Sequence, residues 1–179
     1  MRTGLKLLLD HETIGFRIAE ISAQIDAAHA RDFPVLVAVL KGAVHFVSEV
    51  ARRLSVEHDL EFVRVGTYPD GRGAESNGAV APLGEFTLEG RSVLLVDDIL
   101  DTGRTDGILS DWARTAGATS IRRAYLLAKT GAVERSGVVP DFLGFEVPDE
   151  WVVGFGMDWR GKFRSLPEVF AVVGEGPDA

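Results

Sequence analysis

Apolar positions along the chain switch repeatedly between helical and strand spacing. Four isoleucines recur at intervals of four, three and four residues, which predicts one buried helix face that Phe33-Pro34 should end: Ile14, Ile18, Ile21 and Ile25. Two further helices are predicted around apolar positions 47–54 and 108–116, the latter with Gly117 as its stop. Continuous or alternating apolar runs predict strands at 35–40, 60–65, 92–96, 121–127, 142–145 and 151–155. This alternation indicates an α/β fold with a mostly parallel sheet.

The segment 66–85 lacks that periodicity. It contains five glycines and two prolines and has little apolar pattern. A loop of this length inside a compact domain is uncommon, and such loops are usually functional or disordered. Composition alone leaves a plain surface insertion open as the alternative.

Composition bounds the class of protein. The length of 179 residues favours one domain, and 46% apolar with 26% charged residues is ordinary for a soluble globular chain. The 19 Lys and Arg against 27 Asp and Glu give a net charge of −8, which disfavours nucleic acid and anionic membranes as default partners. The absence of cysteine excludes disulfides, thiolate metal sites and thiol catalysis. We find no signal peptide and expect a cytoplasmic protein.

The segment 93–105 carries the sharpest chemical signal. An apolar strand leads three carboxylates, Asp97, Asp98 and Asp101, into an expected turn, after which Thr102 to Thr105 open a helix. Exposed N–H groups at a helix start, with a glycine that permits close approach, favour an anion. Carboxylates beside such a cradle fit hydroxyls, a metal or a developing positive charge. The combination predicts a sugar phosphate as ligand.

The sequence of this segment, VLLVDDILDTGRT, resembles the signature of the type I phosphoribosyltransferases, which bind phosphoribosyl pyrophosphate (PRPP). Further segments resemble the hypoxanthine-guanine phosphoribosyltransferases in the order of that family: VLKG at 39–42, TY at 67–68, LLAKT at 126–130, DFLGFEVPDEWVVG at 141–154 and FRSLP at 163–167. The resemblance spans roughly residues 5–173. It implies the type I phosphoribosyltransferase fold as a single domain over 1–179, with a core at about 34–145. A hood would come from the N-terminal segment and about 146–175, and a mobile lid from about 66–85.

The implied reaction moves ribose 5-phosphate from PRPP to N9 of a 6-oxopurine, hypoxanthine or guanine, and releases pyrophosphate. Its transition state resembles an oxocarbenium ion, so Asp97 and Asp98 would hold the ribose hydroxyls and stabilise the growing charge. Asp101 would accept a proton from purine N7. The 5′-phosphate would lie in the loop formed by Asp101, Thr102, Gly103, Arg104 and Thr105.

The resemblance also implies the remaining contacts. Lys41 and Gly42, after a non-proline cis peptide bond, and Arg164 would face the pyrophosphate, with Thr67 and Tyr68 closing over it. Lys129 would donate to purine O6, which separates 6-oxopurines from adenine. The purine contacts would be completed by Trp151, Val152 and Asp158. Mg²⁺ would be bound by Asp97, Asp98 and Asp158.

Two alternatives stay open at this point. A regulatory RNA-binding protein could use the same fold, with Arg52-Arg53 and Arg122-Arg123 as a basic patch, although the net charge opposes it. A nucleotide-binding protein without catalysis is the other, although Asp101, Lys129 and Asp158 together favour an enzyme. Thr130-Gly131, where the family often has proline, leaves the base preference open. Family members are usually dimers or tetramers, and we expect one of these.

Overall fold

The computed structural model describes residues 4–66 and 79–174. The strands are β1 (Leu5–Leu9), β2 (Val35–Val39), β3 (Asp59–Val65), β4 (Val80–Pro82), β5 (Ser92–Leu100), β6 (Ser120–Lys129), β7 (Phe142–Val147), β8 (Val152–Val153) and β9 (Val169–Val172). The helices are α1 (His11–Ala28), α2 (Val44–Ala51), α3 (Arg104–Thr115) and α4 (Ala132–Ser136). Within the two described ranges, no helix is long and apolar enough to cross a membrane.

A six-stranded sheet in the order β4-β3-β2-β5-β6-β7 forms the centre of the molecule. Its strands pair in parallel except for the antiparallel edge pair of β3 and β4. This confirms the predicted α/β class with a mostly parallel sheet. Because parallel strands end at the same edge, the residues after β2, β5 and β6 meet there.

Helices cover both faces of this sheet, which explains the continuous apolar runs of its strands. Leu36, Leu94 and Leu126 lie on one face and pack with the four isoleucines of α1. Val35, Val93 and Leu95 lie on the other face and pack with Leu109 and Ala113 of α3. Alternate residues of one strand thus pack into different cores. A polar residue at the end of a strand likewise faces one side of the sheet or the other.

A second, three-stranded antiparallel sheet joins the two ends of the chain in the order β1-β9-β8. Leu5 pairs with Val172, and Val152 pairs with Ala171. One more backbone hydrogen bond extends this pairing, since the Val173 N–H donates to the Gly4 carbonyl at 3.0 Å. The segment around Trp151 is thereby held above the carboxyl edge of the central sheet.

Several elements depart from the sequence prediction. The strand predicted at 92–96 continues to Leu100 because its pairing with β6 extends to Leu100 and Ala128, so Asp97 and Asp98 lie in the strand and not in a turn. Helix α1 ends at Ala28, where the His29 N–H donates to the Ile25 carbonyl, well before Phe33-Pro34. The strand predicted at 151–155 is shortened to β8, and β1, β4 and β9 were not predicted as strands.

Candidate active site

Two adjoining cavities lie at the carboxyl edge of the central sheet. The larger, of about 230 Å³, is lined by Lys41, Gly42, Asp98, Ile99, Asp101, Lys129, Trp151, Val152, Met157, Asp158 and Arg164. The smaller, of about 60 Å³, is lined by Asp97, Ile99, Leu100, Asp101, Thr102, Gly103, Arg104, Thr105, Asp106 and Tyr125. Asp101 and Ile99 line both. Of the site residues predicted from the sequence, Thr67 and Tyr68 lie outside the described residues.

The end of β5 sends its two neighbouring carboxylates to opposite sides. Asp97 faces the smaller cavity and Asp98 the larger, as strand alternation requires. Burial raises the pKa of Asp97 well above its ordinary value, and the negative charge of Asp98 adds to this rise. Burial also raises the pKa of Asp98, although a hydrogen bond with Asp97 and the charge of Arg164 act against it. Ionisation of both carboxyl groups is therefore unfavourable unless a hydrogen-bond donor or a cation binds next to them.

The loop from Asp101 to Thr105 shapes the smaller cavity. Gly103 has a φ of 75°, and a Cβ on it would lie 2.5 Å from the Cβ of Ser136 on α4. Both the backbone angle and the contact therefore require glycine. Helix α3 begins directly afterwards at Arg104, so its first N–H groups lie at this cavity. Such a helix start can bind an anion.

The turn after β2 brings Lys41 and Gly42 against Asp98. The Leu40–Lys41 peptide bond is cis, as the resemblance implies. A Cβ on Gly42 would lie 1.8 Å from the Asp98 carboxylate, and one on Gly156 would lie 1.9 Å from the Gly42 carbonyl oxygen. Three segments distant in sequence therefore approach one another too closely for any side chain at either glycine.

Lys129, at the end of β6, lies between two carboxylates. Its Nζ is 2.9 Å from Asp101 Oδ2 and 3.2 Å from Asp149 Oδ1, and its side chain is 14% exposed. Arg135 of α4 lies 3.8 Å from both carboxylates. Burial lowers the pKa of Lys129, but hydrogen bonds and charge from Asp101 and Asp149 together raise it above its ordinary value. Lys129 therefore remains a cationic donor beside an anionic acceptor.

Residues immediately before and after β8 also line the larger cavity. Arg164 forms an ion pair with Asp158 and donates to the Gly156 carbonyl at 2.6 Å. Trp151 is 57% exposed, and its indole N–H donates to the Asp158 carbonyl at 3.0 Å. Its ring meets Trp159 edge to face at 5.6 Å between centroids. The larger cavity is therefore lined by an aromatic ring, Trp151, and a guanidinium, Arg164, as well as by Lys129.

Carboxylate oxygens suited to a hard divalent cation are present, but they are divided. Asp98 and Asp158 line the larger cavity, whereas Asp97 lines the smaller. Across residues 4–66 and 79–174, no group of three or more His, Asp or Glu side chains is placed to hold a metal ion. Magnesium, however, is commonly bound through one or two carboxylates together with substrate phosphates. The donor set fits an ion that arrives with its substrate.

Two charged residues of this site, Asp149 and Arg135, were not predicted from the sequence. Their role depends on the return of the chain through α4 and β7, which brings residues 135 and 149 to the end of β6. The nearest local signal was the position of Asp149, two residues before Trp151.

Comparisons with known proteins agree with this geometry. The family model for the phosphoribosyl transferase domain matches residues 4–160. A hypoxanthine-guanine phosphoribosyltransferase of Aquifex aeolicus is 38% identical over 94% of this chain and 94% of that protein. One of Bacillus subtilis is 32% identical over 92% and 91%.

Solved structures give the same result. The hypoxanthine phosphoribosyltransferase of Staphylococcus aureus matches with a TM-score of 0.84 and 29% identity, over 95% of this chain and 92% of that one. That of Trypanosoma cruzi, in complex with its product IMP, matches with a TM-score of 0.83 and 28% identity over 98% of each chain. The motifs, the fold and these relatives together show that this chain belongs to the hypoxanthine-guanine branch of the phosphoribosyltransferase family.

Proposed function

We propose that this chain transfers ribose 5-phosphate from PRPP to N9 of hypoxanthine or guanine, giving IMP or GMP and pyrophosphate, in purine salvage. The pairing of Lys129 with Asp101 carries the assignment, since it sets a cationic donor 2.9 Å from a carboxylate acceptor at one wall of the larger cavity. A 6-oxopurine presents an oxygen at C6 beside N7, whereas adenine presents an amino donor there. A lysine at that wall pairs with the oxygen and leaves adenine without a matching partner.

The proposed chemistry uses both members of the pair, Asp101 and Lys129. As purine N9 forms its bond to the ribose C1′, the bond from C1′ to the pyrophosphate oxygen breaks, and the electron pair leaves with pyrophosphate. The N7 proton passes to the Asp101 carboxylate, which acts as general base. Lys129 holds O6 through this step. Trp151 stacks on the ring, and the backbone of Val152 contacts the base edge.

The remaining residues bind PRPP. Thr102, Gly103, Arg104 and Thr105 take the 5′-phosphate in the smaller cavity, and Asp97 and Asp98 take the ribose hydroxyls. Lys41, Gly42 and Arg164 face the pyrophosphate. Mg²⁺ would be held by Asp97, Asp98 and Asp158 and would offset the charge of the departing pyrophosphate. Burial of the Asp97–Asp98 pair supports this role, since it stabilises positive charge placed next to it.

The assembly and location of the protein belong to the same proposal. We expect a homodimer or homotetramer in the cytoplasm. On α1, the large apolar side chain of Phe16 is 67% exposed and could be covered by a second copy of the chain. The C-terminal region of the Trypanosoma cruzi relative has been studied for its role in oligomeric state. Size-exclusion chromatography with light scattering distinguishes the monomer from either assembly.

The regulatory alternative is not favoured. Its basic patch required free arginines, but Arg53 and Arg52 pair with Glu49, and Arg123 pairs with Asp106. Arg122 donates to the Ala28 carbonyl at 2.6 Å. The ion pairs place a carboxylate beside Arg52, Arg53 and Arg123, which lowers the positive potential that RNA would meet there.

The test is a steady-state assay with PRPP and Mg²⁺ in which hypoxanthine, guanine, xanthine, adenine and uracil are offered separately. We expect nucleotide from hypoxanthine or guanine and none from adenine or uracil. Product from adenine at a comparable rate would refute the role of Lys129. Absence of product with every base, in a preparation that still binds PRPP, would refute the proposed activity.

A further inference from the structure

A closed polar cluster lies behind the smaller cavity. Asp106, in the first turn of α3, is 3% exposed. Arg123 Nε donates to its Oδ1 at 2.8 Å, and the Tyr125 hydroxyl donates to the same oxygen at 3.1 Å. Ser110 donates to Oδ2 at 3.2 Å and accepts from Arg123 Nη2 at 3.1 Å. These four residues, here named the Asp106 cluster, satisfy one another within the protein.

The periodicities of two elements build this cluster. Arg123 and Tyr125 stand two residues apart on β6 and therefore share one face of the sheet. Asp106 and Ser110 stand four apart on α3 and share one side of the helix. The cluster thus connects the start of α3 to the centre of the sheet, where Asp97 and Tyr125 are register partners.

The position of Asp106 is electrostatically unusual. It follows Thr105 directly and, with Tyr125, lines the cavity formed by the loop at 101–105. A bare carboxylate there would repel a phosphate placed in the same cavity. Burial, and then the charge of Asp106, raise the pKa of Tyr125 far above its ordinary value, so the hydroxyl keeps its proton and donates. The cation that offsets Asp106 is Arg123.

We propose that Arg123 neutralises Asp106 so that the Asp106 cluster places no uncompensated negative charge beside the loop at 101–105, where the 5′-phosphate of PRPP binds. Arg123 and Asp106 act through the electrostatic field at this loop and are not catalytic residues. The inference rests on the proposed function, which supplies the phosphate. It goes beyond the proposed function by assigning a role to two charged residues, the buried Asp106 and the part-buried Arg123, that the reaction itself does not use.

Charge variants separate this role from a purely structural one. Arg123→Met leaves the Asp106 carboxylate without its cation, and we expect KM for PRPP to rise about tenfold or more. KM for hypoxanthine should change much less, because Lys129 and Trp151 lie in the other cavity. The double variant Asp106→Asn/Arg123→Met removes both charges and should recover most of the affinity for PRPP. The single variant Asp106→Asn leaves Arg123 in excess and should bind PRPP more tightly than the wild type.

A matched control exists at the opposite edge of the sheet. Arg91 and Asp59 form an ion pair with the same N–O distance of 2.8 Å, before β5 and at the start of β3. Arg91→Met should leave KM for PRPP unchanged. Circular dichroism and thermal unfolding of every variant show whether the fold is retained. If Arg123→Met does not fold, the tighter binding expected for Asp106→Asn carries the test alone.

The inference is wrong if Arg123→Met keeps a wild-type KM for PRPP, if the double variant binds no better than Arg123→Met, or if Asp106→Asn fails to tighten binding. Titration calorimetry with inorganic phosphate repeats the comparison without turnover. If the wild type is inactive with every base, the proposed function fails. The calorimetric series then still decides the inference, because phosphate affinity must follow the same order across the variants.

Discussion

The two cavities at the carboxyl edge of the sheet solve different electrostatic problems with similar residues. In the larger cavity, Lys129 and Arg164 pair with carboxylates that are partly exposed, such as Asp149 and Asp158. In the smaller cavity, Asp106 is 3% exposed and is paired within a closed cluster. Ion pairs of the first kind are accessible to a substrate in the cavity, whereas the carboxylate of the second kind is satisfied by its neighbours within the protein.

The difference shows what each cavity must do. In the proposed reaction a purine would displace the contact between Lys129 and Asp101, because both groups would bind it. The Asp101 side chain is 43% exposed, so a ligand can reach this pair from the cavity. A phosphate, by contrast, is bound largely by backbone N–H groups, so its cavity needs fixed geometry and little net negative charge. Asp101 belongs to both cavities: it pairs with Lys129 in the larger one and begins the loop at 101–105 in the smaller one.

The largest effect is expected at this shared residue. Asp101→Asn keeps the size of the side chain but cannot accept a proton. General base catalysis contributes about 10²–10⁴-fold, so kcat for hypoxanthine should fall by that range. KM for PRPP should change far less, because proton transfer belongs to the chemical step. Steady-state kinetics in both substrates measure the split.

The matched control is Asp111→Asn on α3, whose carboxylate is exposed and forms an ion pair with Arg114. It should keep wild-type kinetics. Wild-type turnover of Asp101→Asn itself would remove Asp101 from the mechanism and leave the two cavities without a common catalytic group.

The next effect concerns the purine side alone. Lys129→Met removes a charge-assisted hydrogen bond of about 1.5–3 kcal/mol, so kcat/KM for hypoxanthine should fall about 10–150-fold. Discrimination against adenine should weaken in parallel, while KM for PRPP stays close to that of the wild type. Lys6→Met, at an exposed position of β1, is the control. An unchanged preference among bases would place the O6 donor elsewhere. The larger cavity could then no longer be assigned to the purine on the basis of Lys129.

The sequence predicted the parallel strands of the central sheet because each contains a continuous or alternating apolar run, which is a local signature. Strand β1 did not emerge, although Leu7 to Leu9 are apolar, because its partner β9 lies at the far end of the chain. Strand β4 is a three-residue edge strand, too short for periodicity. Pairing between distant segments leaves no local signal in either one.

The candidate site divides in the same way. The segment from Asp97 to Thr105 was predicted because one stretch of chain carries the strand end, the loop and the helix start. The sequence did not show that Asp97 and Asp98 enter different cavities, since that depends on β5 continuing to Leu100. The Asp106 cluster was also missed, because Arg123 looked like part of a surface patch until α3 was placed against β6.

The smallest expected effect compares the two neighbouring carboxylates of β5. Burial and nearby carboxylates raise the pKa of Asp97, so the folded state binds its proton more tightly than the unfolded chain does. The stability conferred by that proton is complete below the unfolded pKa and is lost as pH rises through the folded one. Asp97→Asn should therefore unfold at a higher temperature than the wild type at pH 7, and the gap should close towards pH 4.

The expected gain in stability of Asp97→Asn is of the size that single stabilising substitutions commonly give. Relief of a strained active site commonly gives about 0.5–2 kcal/mol, and each kcal/mol shifts Tm by about 2–4 °C in a chain of this length. Asp98→Asn should gain less, because the charge of Arg164 already favours the Asp98 carboxylate. Thermal unfolding from pH 4 to pH 8 measures both variants. Equal gains would show that the two cavities share one field, whereas a larger gain at Asp97 would show that the smaller cavity concentrates negative charge until its ligand arrives.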